Sequence, residues 1–127
     1  MAFDEKAAAR LRRVLARRRD ITEKKMMGAL CFMASGTMCC GVTGAALMVR
    51  VGADGFERAL AKPHVRPLRL GRRQARGFVL IDPAGYRTEA ALVTWVEQGL
   101  AVVKMLSRQA AKPSAGGRRR RTRSSAP

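Results

Sequence analysis

The side chains best suited to chemistry are Cys31, Cys39, Cys40 and the only histidine, His64. A thiolate beside an imidazole makes a nucleophile. Thiol and imidazole sets hold zinc when about four ligands come in paired spacings such as C-x-x-C. The zinc pattern is incomplete here. Cys39 and Cys40 are adjacent, and in a strand adjacent side chains point to opposite faces. One is therefore expected in the core and the other on the far side of the sheet, with Cys31 on the preceding strand. A pairing of one thiol with His64 stays open, but buried inert thiols and no bound metal are the expectation. The carboxylates Asp54, Glu57, Asp82, Glu89 and Glu97 are scattered and form no acid–base pair. No glycine-rich nucleotide motif follows a strand. The expectation is a non-enzyme with no catalytic residue and no cofactor.

Charge is the stronger signal. The 127 residues carry a formal net charge of +17, which attracts polyanions at long range. All nine acids lie between Asp4 and Glu97, and only cations follow them. Arg66, Arg69, Arg72, Arg73 and Arg76 put five guanidinium groups into eleven residues; Arg118, Arg119, Arg120 and Arg121 are consecutive, and Arg123 follows. Phosphate contact needs only charge and reach, whereas base readout needs aromatics or a recognition helix. These ten arginines are the candidates for sequence-independent nucleic-acid contact. A solvated basic surface without a partner is the competing account.

Those side chains need elements to hold them. Asp4 can cap a helix over about 4–19, with Ala7, Leu11, Val14 and Leu15 on one face. From Met26 to Val49 there is no charge, but Gly28, Gly36, Gly41 and Gly44 and the dipeptides Ser35-Gly36 and Thr43-Gly44 interrupt the run. That favours strands over 25–33, 37–42 and 46–51 rather than a membrane span. Met26, Met27, Met33, Met38 and Met48 crowd these strands. They either fill the core or line a partner surface. Asp54 can cap a short helix stopped by Pro63, and Phe78–Ile81 reads as a buried strand preceded by a shorter one near 68–70 or 73–76. Thr88 caps a last helix carrying Leu92, Trp95, Val96, Leu100, Val103 and Leu106. From Gln109 on, no apolar residue exceeds Ala or Pro. The expected organisation is a domain over 1–108 and a disordered basic tail over 109–127. The fold class is α+β: two layers, a mostly antiparallel five-stranded sheet with helices, in the order α-β-β-β-α-β-β-α.

The segments "EKKMMGALCFMASGTMCCGV", "LMVRVG", "PHVRPL", "GRRQARGFVLIDPAG" and "WVEQGLAVV" together resemble the TfoX N-terminal domain family. The family's Met-Phe-Gly-Gly is here Met26-Met27-Gly28-Ala29, and its Gly-Arg-Pro-Met is Gly71-Arg72-Arg73-Gln74. Gly28, Gly71 and Gly77 keep the backbone positions. The resemblance implies the same element order and a kinship with TfoX/Sxy regulators of competence, which add a second, helical domain. A stand-alone domain is expected here, and the resemblance brings no catalytic residue. The expectation is a cytoplasmic, non-enzymatic interaction domain that touches nucleic acid non-specifically and does not engage membranes. An adaptor for a protein partner through an exposed sheet face is the alternative, and an enzyme with an unrecognised pocket is another. Monomer and homodimer both remain open.

Overall fold

A computed structural model describes residues 3–26, 28–70 and 72–111. Helix α1 spans Glu5–Val14; the Asp4 carboxylate accepts from the Lys6 N–H at 2.9 Å and caps it. Ala7, Ala8 and Leu11 are its buried residues. It stops well before residue 19, because Arg17, Arg18 and Arg19 offer no apolar side chain to hold another turn.

The strands are β1 Ile21–Met26, β2 Ala29–Ala34, β3 Thr37–Thr43, β4 Ala46–Arg50, β5 Val65–Leu70 and β6 Arg73–Ile81. They form one sheet in the order β1-β2-β3-β4-β6-β5, antiparallel at every pairing. The fold class is as expected, with six strands instead of five. The stretch 25–33 is not one strand: the chain reverses after Met26, and Gly28 sits at φ 83°. β1 reads ITEKKM and has no buried residue, so no inward period marks it as a strand. Its lysines suit an edge, where charge blocks further pairing. A two-pronged contact from Arg12 to Glu23, at 2.7 and 2.9 Å, ties α1 to it. The uncharged run of 26–49 thus supplies strands and no helix.

Helix α2 spans Gly52–Leu60 and α3 spans Glu89–Ala111. A single 3-10 turn, Pro83–Gly85, precedes α3. The start of α2 corrects the sequence reading: Asp54 lies in the first turn, and Val51 occupies the cap without a side-chain hydrogen bond. Thr88 caps α3 as expected, its Oγ1 accepting from the Ala91 N–H at 3.1 Å. All three helices pack into one core with Leu30, Phe32, Val42, Leu47, Val49, Val79 and Ile81 of the sheet. By length and composition α3 could cross a membrane over Glu89–Arg108. Here Leu92, Trp95, Val96 and Val103 are buried in that core.

The adjacent thiols also depart from the sequence reading. Phe32 pairs with Cys40 but Met33 pairs with Met38, which leaves Cys39 as the extra residue of a β-bulge. The bulge cancels the alternation, and Cys39 and Cys40 both enter the helix-side core with their sulfurs 3.7 Å apart. Cys31 pairs with Gly41 and belongs to a separate cluster on the other face.

Helix α3 lies so close to the bulge that a Cβ on Gly99 would stand 2.4 Å from the Cys39 carbonyl oxygen. Alanine would add about 1 kcal/mol of helix propensity. Overpacking against buried backbone costs about 1–3 kcal/mol and more where nothing can yield. Gly99→Ala is therefore expected to lower stability by at least about 1 kcal/mol net in urea unfolding. Unchanged or raised stability would show that α3 can lift off β3 freely.

Candidate functional site

The arginine-rich segment forms the β5–β6 hairpin. Proline interrupts a ladder least at a sheet edge, and Pro67 lies on β5, the edge strand. β6 pairs with β4 only over Phe78–Ile81; before that it pairs with β5 alone, through Arg69↔Gln74 and Leu70↔Arg73. Gly77 marks the departure, with φ 103° and its carbonyl accepting from the Val51 N–H at 2.6 Å. The distal hairpin is thus a two-stranded ribbon projecting beyond the end of β4. The sequence read 68–70 and 73–76 as alternative strands; both are strands, and they are each other's partner.

The ribbon sorts the five arginines. Arg66 grips the Asp82 carboxylate at 2.9 and 3.0 Å. That contact holds Asp82 below the usual carboxylate range. Arg76 lies over the Phe56 ring of α2, 5.6 Å from its centroid, and 3.9 Å from Glu57. Arg69, Arg72 and Arg73 are exposed, and no ion pair involves them among the described residues. The structure therefore groups three candidates as uncompensated charge and diverts two into intramolecular contacts. Arg118, Arg119, Arg120, Arg121 and Arg123 lie outside the described residues, as does Met27.

The sheet face away from the helices carries a second apolar cluster: Ala29, Cys31, Ala46, Met48 and Leu80, with Met33, Met38, Leu68 and Phe78 against it. Met33, Met38 and Met48 lie on this face, Met48 buried within the cluster and the other two partly buried against it. The curled sheet makes a groove of about 420 Å³ there, with Met26, Cys31, Met38, Met48, Leu68 and Phe78 contributing one lining residue from each strand. Arg50 is half-buried on this face. Its guanidinium stacks 4.5 Å from the Phe78 centroid, and its Nε donates to the Met38 carbonyl at 2.6 Å. Burial lowers its pKa from the ordinary guanidinium value. Sequence reading missed both the groove and Arg50, because neither shows until β1 and the β5–β6 hairpin approach across the sheet.

Reactive groups are kept apart. His64, at φ 66°, is exposed before β5, and no cysteine lines the cavity beside it. Burial pushes the Cys31 thiol up. A hydrogen bond shared with Cys39, together with burial, pushes Cys40 well above the ordinary thiol range. Among the described residues, no group of three metal-ligating side chains comes together. A hydrogen bond with Cys40 draws the Cys39 thiol below the ordinary range, and Cys39 is fully buried, so the accessible surface presents charge and an apolar groove.

The model of the family described as TfoX N-terminal domain matches residues 13–103, a span that contains all six strands and α2. No curated protein and no solved structure matches the chain.

The thiols and the Arg66–Asp82 pair each give a measurable outcome. Cys31, Cys39 and Cys40 are at most 2% exposed, so a chromogenic thiol reagent should react with them only after unfolding. Fast reaction in the native protein would contradict that burial. Asp82 has a lower pKa folded than unfolded, so its pair adds stability above the unfolded value near pH 4. That contribution disappears as pH falls through the lower folded value. The pair is exposed, so the effect is at most about 1 kcal/mol. Arg66→Gln should flatten the acid limb of the melting-temperature profile and leave its shape above pH 5 unchanged. An identical acid limb in the variant would dismiss the pair's role.

Proposed function

The chain belongs to the TfoX N-terminal domain family, and we propose that it is a non-enzymatic regulatory domain contacting nucleic acid through the distal β5–β6 hairpin. The family supports a regulatory or interaction domain in general terms, and its domain is of a non-catalytic kind. The hairpin supports the finer reading. Arg69, Arg72 and Arg73 are exposed on a ribbon that extends past β4, without a carboxylate to neutralise them. Such a ribbon has the reach for phosphates and a width that a major groove admits. The contact is read as sequence-independent, because the nearest aromatic, Phe78, lies under Arg50 and is unavailable for stacking on bases. The cations at Arg118–Arg121 and Arg123 add phosphate contacts in this reading. We place this activity in the cytoplasm, without membrane contact.

The adaptor reading has less support. Ala29, Cys31, Ala46, Met48 and Leu80 on the open face are only 2–8% exposed. A flat protein partner would gain little by covering them.

The test is affinity for a short DNA duplex and a single-stranded RNA, measured by anisotropy at several salt concentrations. Replacing Arg69, Arg72 and Arg73 together by Gln should reduce the duplex slope of log K against log salt by up to about 2.7, at roughly 0.9 per phosphate. Deleting residues 112–127 should reduce it further, with little change in melting temperature. Absence of binding by the full chain near physiological salt would overturn the reading.

A further inference from the structure

We propose that the groove on the open sheet face binds a single-chain amphipathic carboxylate, a medium-chain fatty acid. The proposal rests on the groove and on Arg69, which lines it and also belongs to the nucleic-acid reading, so the test is run without nucleic acid and the two can fail separately. At about 420 Å³ the groove falls at the small end of ligand-site volumes. β2 and the Met48 side chain pack directly over Gly41 of β3, where no side chain fits. A Cβ on Gly41 would stand 2.6 Å from the Leu30 carbonyl oxygen and 3.1 Å from the Met48 methyl. The walls are thioethers, a thiol and one aromatic ring. Methionine walls adapt their shape to an alkyl chain.

Charge selects the head group. Arg69 lines the groove, and no Asp or Glu does. Arg50 holds two lining residues at once, the Phe78 ring and the Met38 carbonyl. Among the described residues it has no carboxylate partner. Arg50 is not itself a lining residue and braces the wall, while Arg69 offers a carboxylate charge-assisted hydrogen bonds at the groove. Lys24 faces the same side of the sheet, paired opposite Cys31. Shape selects the tail. The groove is narrow and its methionine walls can yield to an alkyl chain, whereas a protein surface would need about 800 Å² per partner to hold.

The test is titration calorimetry of the full chain with dodecanoate below its micellar concentration, with dodecanol as the uncharged control and no nucleic acid present. Saturable one-to-one dodecanoate binding is expected. Arg69→Met should weaken dodecanoate by about tenfold or more, the loss of one charge-assisted hydrogen bond, and leave dodecanol unchanged, whereas Arg50→Met, which also releases Phe78 and Met38, should weaken both. Ala75→Trp, which fills the groove from β6, should abolish both. Arg69 is exposed and in no ion pair among the described residues, so its variant remains informative if Arg50→Met fails to fold. Absence of saturable dodecanoate binding by the folded wild-type chain would overturn the proposal. So would full dodecanoate binding by folded Ala75→Trp, or a dimer that dissociates when the groove is filled, since a second copy would then be the occupant.

Discussion

Three helices share one side of a six-stranded sheet, and among the described residues no further element covers the other. An antiparallel sheet tolerates one uncovered face when that face is polar. This one is not, because β2, β3, β4 and β6 are apolar on both sides. The second face must then be closed by the sheet itself. It curls until residues from all six strands line a single groove. Its apolar atoms are largely hidden without a fourth helix, and what remains open is narrow. The β5–β6 hairpin runs past β4 because β6 has nine residues against five in β4 and leaves the pairing at Gly77.

The covered side depends on a contact between α3 and the bulge in β3. Without the bulge, Cys39 would sit on the groove face, where Gly41 and Met38 already lie beside Cys31 and Met33. With it, two sulfurs enter the helix-side core, and the Cys39 carbonyl stands where only a glycine of α3 can pass. Polar anchors then fix the ends. The Tyr86 hydroxyl donates to the Ala45 carbonyl at 2.6 Å, and the Trp95 indole N–H donates to the Gly85 carbonyl at 3.3 Å. Both aromatic bodies stay buried while their polar tips are satisfied, which is what such residues require. The anchors tie the segment before α3 to the β3–β4 turn on one side and to α3 on the other.

Much of this architecture was legible because local chemistry and long-range packing agree. Gly28, Ser35-Gly36 and Thr43-Gly44 mark turns that the sheet uses, Gly41 lies inside β3, and Thr88 marks the start of α3. Three features were not legible, each for a stated reason. β1 carries three charges in six residues and has no buried residue, so hydrophobic period cannot find it. The bulge is a property of register between β2 and β3, and neither strand's own sequence encodes it. The groove needs Met26 and Leu68, 42 positions apart in the numbering of the chain, to meet across the sheet. Of the candidate site, the arginine cluster was visible as composition. The division between paired Arg66 and Arg76 and unpaired Arg69, Arg72 and Arg73 was not, because it depends on where Asp82 and Glu57 fold.

That division follows from how few acids the chain has. With nine carboxylates against twenty-six lysines and arginines, most cations must go without an intramolecular partner. Composition fixes the excess, and the fold decides where it appears. Glu23, Asp20, Glu89, Asp82 and Glu57 each lie in an ion pair with an arginine. Asp4, Glu5 and Asp54 stand at or near helix N-termini, where the backbone amides and the helix dipole favour them. Two of the pairs join α1 to its neighbours: Arg12 to Glu23 of β1, and Arg10 to Glu89 of α3. The carboxylates are thus drawn to the helix layer and the ends of the strands, where they hold elements together. None lines the groove, and none lies on the distal hairpin. Adding an acid to the distal hairpin would therefore change its surface charge without touching the ion pairs that assemble the domain, whereas removing one of the paired acids does the reverse.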